Sequence, residues 1–123
     1  TIAKPTSIVG HGSTFCAIRP TSSTPNDTIV VRPSALYNHE NIRISDIALH
    51  NPSAGTRTDR HGIYLDTQVA SSNLPRLTIE RMVIGQGSGY GIYHLNNGSN
   101  NVNGGMYAST IRDCSIKGGI KLE

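Results

Sequence analysis

Tryptophan is missing from this chain, phenylalanine occurs once, and only 15% of residues are charged. Only 36% of its 123 residues are hydrophobic, which suits one domain with much turn and loop. Strand-like apolar runs nevertheless recur throughout, which excludes a disordered chain. No apolar run approaches the ~20 residues of a membrane-spanning helix, so no membrane insertion is expected. The net charge is +3 and the pI near 9.1, yet lysine and arginine are spread singly. Without a basic cluster, nucleic acid is not an expected partner.

The chemistry-bearing residue types are sparse as well. Cys16 and Cys114 form no metal or redox spacing. His11, His39, His50, His61 and His94 form no His-x-His or His-x-x-x-His pair. No metal and no cofactor is therefore expected. The glycine-rich stretches at 10–12 and 85–89 have no helix after them and read as turns, not phosphate cradles. No segment holds a 3.6-residue period for three turns, which excludes helical repeats.

What is present is a repeat. Residues 41–51, 76–86 and 108–118 align without gaps, with Ile44, Ile79 and Ile111 matched at steps of 35 and 32 residues. A shorter element follows each, at 62–65, 91–95 and 119–122, with Ile63, Ile92 and Ile120 matched at steps of 29 and 28. In the long element Ile42, Ile44, Ile47 and Leu49 alternate at period two, and the parity breaks at Ser45-Asp46. That pattern is two short strands joined by a bend. The short element supplies a third strand. The sequence thus predicts a right-handed parallel β-helix, three short strands per coil, in a single domain or module covering 1–123. Because residues 119–123 read as a strand, a module of a longer β-helix is expected.

Stacking in register turns aligned residues into columns. Upstream, Thr28-Ile29-Val30-Val31-Arg32 fits the short slot, and Cys16-Ala17-Ile18-Arg19 fits the long one. One outward column then runs Arg19, Ser45, Glu80, Arg112, and another runs Asp46, Arg81, Asp113. These read as solvent-facing ladder pairs. In this alignment Cys16 takes the slot of Ile42 and Cys114 that of Ile47. They would be free, buried thiols on different sides, roughly 14 Å apart along the axis, against a disulfide limit of about 7 Å. On the short strand the outward columns are Val30, Tyr64, Tyr93, Lys121 and Arg32, Asp66, a position near Asn96, Glu123. Parity is open between Gly91 and Asn96, where a bulge at His94 between Tyr93 and Leu95 is one of the readings.

The runs at 8–14 and 17–20, Asn41-Ile42-Arg43-Ile44-Ser45-Asp46-Ile47, Leu77 through Ile84 and His61-Gly62-Ile63-Tyr64-Leu65-Asp66 resemble coils of the pectin-lyase-like β-helix superfamily. The nearest in character are bacteriophage tailspikes and tail fibres. The resemblance covers nearly the whole chain and is specific for fold, because its motifs are core and turn signatures. It implies a homotrimer in the virion that binds, and often cleaves, polysaccharide on the host bacterium. No catalytic motif of the superfamily carries over.

Three functions follow as alternatives: a polysaccharide-recognising module, a polysaccharide hydrolase or lyase, and a structural shaft without a ligand. For recognition, Tyr64, Tyr93 and Asn96 are the candidate ligand-binding residues, since aromatic rings lie on pyranose faces and amides bind hydroxyls. For cleavage, Asp66 and Glu123 are the candidate acids. Two strand spacings separate their backbones by about 9.5 Å, within the roughly 6.5–9.5 Å range of inverting glycosidases. The loops at 50–61 and 96–107 are further candidates for rimming a groove, and Asn26 and Asn97 form formal glycosylation sequons.

Overall fold

The computed structural model describes residues 1–3, 6–19, 27–33, 41–50, 61–68, 73–85, 89–96 and 105–123. Among them there are strands and turns but no α-helix. Every strand pairing is parallel. The strands form three four-stranded sheets, and successive coils place one strand in each.

The first sheet contains β1 (Ile8–Val9), β4 (Arg43–Ser45), β8 (Thr78–Glu80) and β12 (Thr110–Arg112), in that order. The second contains β2 (Ala17–Ile18), β5 (Ala48–Leu49), β9 (Val83–Ile84) and β13 (Ser115–Ile116). The third contains β3 (Ile29–Val31), β6 (Ile63–Asp66), β10 (Ile92–Leu95) and β14 (Ile120–Leu122). Ile2 bridges to Val31 above β3. This is a stack of three-strand coils, as in a parallel β-helix.

Local sequence explains the corners. Asn41, Asp46, Arg76, Arg81, Ala108 and Asp113 all have positive φ, between 50° and 61°. They fall at two repeated positions, one before and one after each of β4, β8 and β12. A single left-handed residue turns the chain sharply, whereas the strands on either side stay extended. The corner keeps its ladder bonds: Asp46 N–H donates to Glu80 O at 3.2 Å, and Arg81 N–H to Arg112 O at 3.2 Å.

The isoleucine columns stand as expected. Ile44 pairs with Ile79 and Ile79 with Ile111. Ile63 pairs with Ile92 and Ile92 with Ile120. Inward residues of the two middle coils are essentially sealed, among them Ile42, Ile44, Leu49, Ile63, Leu65, Leu77, Ile79, Ile84 and Ile92. Burial of each such side chain stabilises the stack by about 1.5–3 kcal/mol. In the last coil Ile120 and Leu122 are exposed, since they have a neighbouring coil on one side only.

Four expectations need correction. Ile8, not the segment around Cys16, heads the first column, because Ile8 pairs with Ile44 and Val9 with Ser45. Residues 11–15 are inserted at the corner between β1 and β2, closed by Gly12 O accepting from Phe15 N–H and Cys16 N–H. The outward column is therefore Val9, Ser45, Glu80, Arg112, without Arg19. Second, Ala17 pairs with Ala48 and thence with Val83 and Ser115. This sets Cys16 and Cys114 in one column, at opposite ends of it. Both are free thiols, and both are half-buried instead of buried.

Third, β10 carries no bulge. His94 takes the inward slot beside Leu65, and Leu95 pairs with Asp66. Fourth, the later coils hold an additional strand pair, β7 (Asn73–Pro75) with β11 (Gly105–Tyr107), through which Leu74 joins the core. His39, the sequon asparagines Asn26 and Asn97, and residues 51–60, 86–88 and 97–104 lie outside the described residues.

Candidate functional site

Gly62 and Gly91 sit where the chain turns into the third sheet. A Cβ on Gly62 would lie 2.5 Å from Ile84 Cγ2 and 2.6 Å from Gly91 O. One on Gly91 would lie 2.3 Å from Ile116 Cγ2 and 2.7 Å from Lys117 O. The coils close up at this corner only because nothing points inward. The residues on either side then face outward on adjacent rungs: His61 and Tyr90 before the glycines, Tyr64 and Tyr93 after them.

The result is a cluster of four rings. Tyr64 and Tyr93 are offset-stacked, with centroids 5.6 Å apart and planes 11° apart. His61 stands 4.6 Å from Tyr93 and 5.8 Å from Tyr90, the latter nearly parallel at 13°. Tyr90 and Tyr93 are 5.8 Å apart. Tyr90 N–H donates to His61 Nδ1 at 3.0 Å, which leaves the neutral ring's proton on Nε2. Because the rings form steps and not one covered pile, part of the aromatic surface stays open, and Tyr90 is the most exposed large residue of the group.

Polar groups frame the rings. Gln68 Nε2 donates to Tyr64 Oη at 3.1 Å. Tyr93 Oη donates to Glu123 Oε2 at 2.5 Å. Lys121 pairs with Glu123, and its ammonium lies 5.6 Å from the centroids of both Tyr90 and Tyr93. The electrostatics follow from these contacts. Lys121 and then Tyr93 draw the Glu123 carboxyl below its usual range. The same hydrogen bond raises the Tyr93 phenol, and burial raises that of Tyr64.

The two candidate acids stand in one column two rungs apart, as the alignment gives, each with its own partners. Asp66 is buried, accepts Arg32 Nε at 2.6 Å from the preceding coil and caps Gln68 N–H at 3.1 Å. Glu123 is two coils away with Leu95 between them, and its partners are Lys121 and Tyr93. Leu95, not Asn96, occupies the intermediate column position; Asn96 is half-buried just beyond β10. Sequence reasoning set Tyr64, Tyr93 and Lys121 in one outward column but missed His61, Tyr90 and Gln68 as members. The signal for the first two was present: His61-Gly62 and Tyr90-Gly91 recur at the same 29-residue step as Ile63 and Ile92.

The first sheet carries a contrasting outward group. Glu80, expected on a solvent-facing ladder, is buried beneath arginines. It pairs with Arg43 at 2.6 Å, with Arg81 at 3.1 Å and with Arg112 at 2.5 Å. Arg81 also makes a two-pronged bond to Asp46, at 2.6 and 2.7 Å, holding that carboxyl down at about 2. Ser45 in the same column is likewise buried. Beneath the third sheet, buried His94 Nε2 lies 2.9 Å from Thr67 Oγ1, whose hydroxyl donates to Leu95 O at 3.3 Å.

No family model, curated protein or solved structure matches this chain.

Proposed function

We propose that this chain is a polysaccharide-recognising module of a right-handed parallel β-helix, a piece of a longer protein of the bacteriophage tailspike kind. On this reading it works in the virion as a homotrimer and engages polysaccharide on the surface of a host bacterium. The observation that carries the reading is the stepped ring cluster of His61, Tyr64, Tyr90 and Tyr93 on the outer face of the third sheet. The C–H face of a pyranose is apolar and fits an open ring face, while its rim of hydroxyls needs donors and acceptors nearby. Gln68, Glu123 and the tyrosine hydroxyls supply them.

Recognition without cleavage is favoured by the state of the acids. Glycoside hydrolysis calls for one carboxyl that stays protonated to serve the leaving group. Glu123 is drawn the other way by Lys121, and the buried oxygens of Asp66 are already taken up by Arg32 and the Gln68 N–H, away from a leaving group.

The test is glycan-array binding together with a reducing-end assay on bacterial O-antigens and capsules. Binding without new reducing ends is expected. Tyr93→Ala should weaken it roughly tenfold, from the loss of one stacking ring and its hydrogen bond. No binding to any glycan would leave the structural-shaft reading; new reducing ends that vanish in Asp66→Asn or Glu123→Gln would restore the enzyme.

A further inference from the structure

On the glycan-binding reading above, on which this step rests, we infer that the hydroxyls of Tyr64 and Tyr93 together hold a vicinal diol of the sugar. They grip it in one fixed hydrogen-bond direction, which Gln68 and Glu123 set.

Each phenol has one proton to give, and its neighbour decides where that proton goes. Tyr93 gives its proton to Glu123 Oε2 at 2.5 Å. Its oxygen therefore meets a ligand as an acceptor. Tyr64 is the opposite case. Its oxygen receives Gln68 Nε2–H at 3.1 Å, and among the described residues no acceptor takes the Tyr64 proton. Tyr64 therefore meets a ligand as a donor.

The two phenols leave paired positions on adjacent rungs. Their ring centroids are 5.6 Å apart and their planes 11° apart. Rings so aligned on neighbouring strands carry their oxygens about 5–6 Å apart. A single hydroxyl, bent at its oxygen and bonded to each phenol at about 2.8 Å, spans only about 4.6 Å. Two hydroxyls on adjacent carbons span the gap. The completed chain then runs one way throughout, from Gln68 N–H to Tyr64 O–H, through the two sugar hydroxyls in turn, to Tyr93 O–H and the Glu123 carboxylate. Hydrogen bonds aligned in one sense polarise one another, so the chain is stronger than its separate links. It ends on a charge, where such bonds are strongest. Lys121, paired with Glu123, keeps that carboxyl ionised. Gln68 and Glu123 are thus positioning residues, acting on the sugar through the two tyrosines.

The experiment measures binding of the intact chain to arrayed O-antigens and capsules. Each polymer is printed untreated and after periodate oxidation and borohydride reduction, which cleave the carbon–carbon bond of vicinal diols. A loss of about tenfold or more after oxidation is expected. Tyr64→Phe and Tyr93→Phe, which keep both rings, should each weaken binding of the untreated polymer about tenfold, and the double variant should be little weaker than either single one. Gln68→Glu keeps the side chain's shape but offers Tyr64 an acceptor, turning its proton away from the sugar. It should match the Tyr64→Phe loss, which a merely structural role for Gln68 would not produce. Binding that survives oxidation overturns the diol. Phenylalanine variants that bind as the parent does, or losses that multiply in the double variant, overturn the shared chain. Parental affinity in Gln68→Glu overturns the positioning role of Gln68. Each of these outcomes leaves glycan recognition standing, whereas binding to no untreated glycan removes both readings together.

Discussion

The first and third sheets solve the same geometric problem with different chemistry. Each must fill an outward column whose members repeat every rung, about 4.8 Å apart. On the first sheet the column is ionic, and opposite charges on successive coils consume one another. Glu80 is buried by its own arginines, and little of its capacity is left for a ligand. On the third sheet the column is aromatic, and rings that step past each other saturate only part of their surface. A charge ladder closes on itself; an aromatic ladder stays partly open. On the proposed glycan reading, the partly open rings of the third sheet are therefore the face to test.

The most damaging way to break the aromatic side is to spread its rungs. Gly91→Ala sets a methyl group against Ile116 Cγ2 and Lys117 O. It should cost about 1–3 kcal/mol of unfolding free energy or more. Glycan binding should fall with it, because Tyr90 and Tyr93 flank the displaced corner. Urea denaturation and glycan titration measure the two effects.

Next in size is the ionic side. Glu80→Gln leaves Arg43, Arg81 and Arg112 facing one another without their shared anion, so the melting temperature should drop while glycan affinity below the transition holds. A matching loss of affinity would show that the two faces are coupled. Acid should mimic the substitution. Glu80, through Arg112 first, and Asp46, through Arg81, both titrate below their unfolded values in the folded chain. Their contribution is complete above pH ~4.5 and disappears as Asp46 is protonated near about 2.

The sheet beneath the rings responds in a different window. Burial lowers the His94 pKa. The folded state then resists the proton that the unfolded chain accepts near 6.5, so stability is full above that pH and declines as pH falls through it. His94→Leu, which restores the type found at Leu65 and Leu122 in the same column, should flatten stability between pH ~7 and ~5 and raise it at the acid end. Thr67 keeps its bond to Leu95 O. A slope that persists in the variant would assign the effect to another group. Denaturation across pH thus separates the two sheets.

The smallest effect concerns a corner leading into the first sheet. Ala108 holds φ 51° and is exposed. Relief of the ~1–2 kcal/mol left-handed penalty, less the backbone entropy of glycine, predicts that Ala108→Gly stabilises by roughly 0.5 kcal/mol. No change in glycan binding is expected.

The parts of this molecule that were legible in the sequence are those where the repeat is gapless. Ile44, Ile79 and Ile111 share a period-two parity, and parity is what a pleated strand converts into inside and outside. The first coil was misread because residues 11–15 enter at a corner, so the stretch that looked like one long element around Cys16 is only its second half. His94 was ambiguous because a polar residue in an inward slot looks like a parity break; only its partner Thr67, from the neighbouring rung, makes the slot tolerable. Glu80 was taken for a solvated residue since alternation gives direction and not cover, and the cover comes from arginines on other coils. The ring cluster was half legible for a related reason. Tyr64 and Tyr93 lie within strands, whereas His61 and Tyr90 lie just before the glycines, where alternation offers no rule.

One property of the isoleucine columns bears on how the chain reaches this arrangement. Ile8, Ile44, Ile79 and Ile111 are nearly interchangeable as rung partners, so a strand that skips one coil and docks on the next finds the same inward shape. Hydrophobic matching alone therefore cannot count coils. The charges can. Glu80 is the only acid in its column, and it meets arginine-bearing rungs on both sides, through Arg43 and Arg112. If β12 were to dock on β4 with β8 left out, Arg43 and Arg112 would confront each other with no carboxylate between them. The buried glutamate thus acts as an order mark, giving the correct sequence of coils an energetic advantage over a skipped one during assembly.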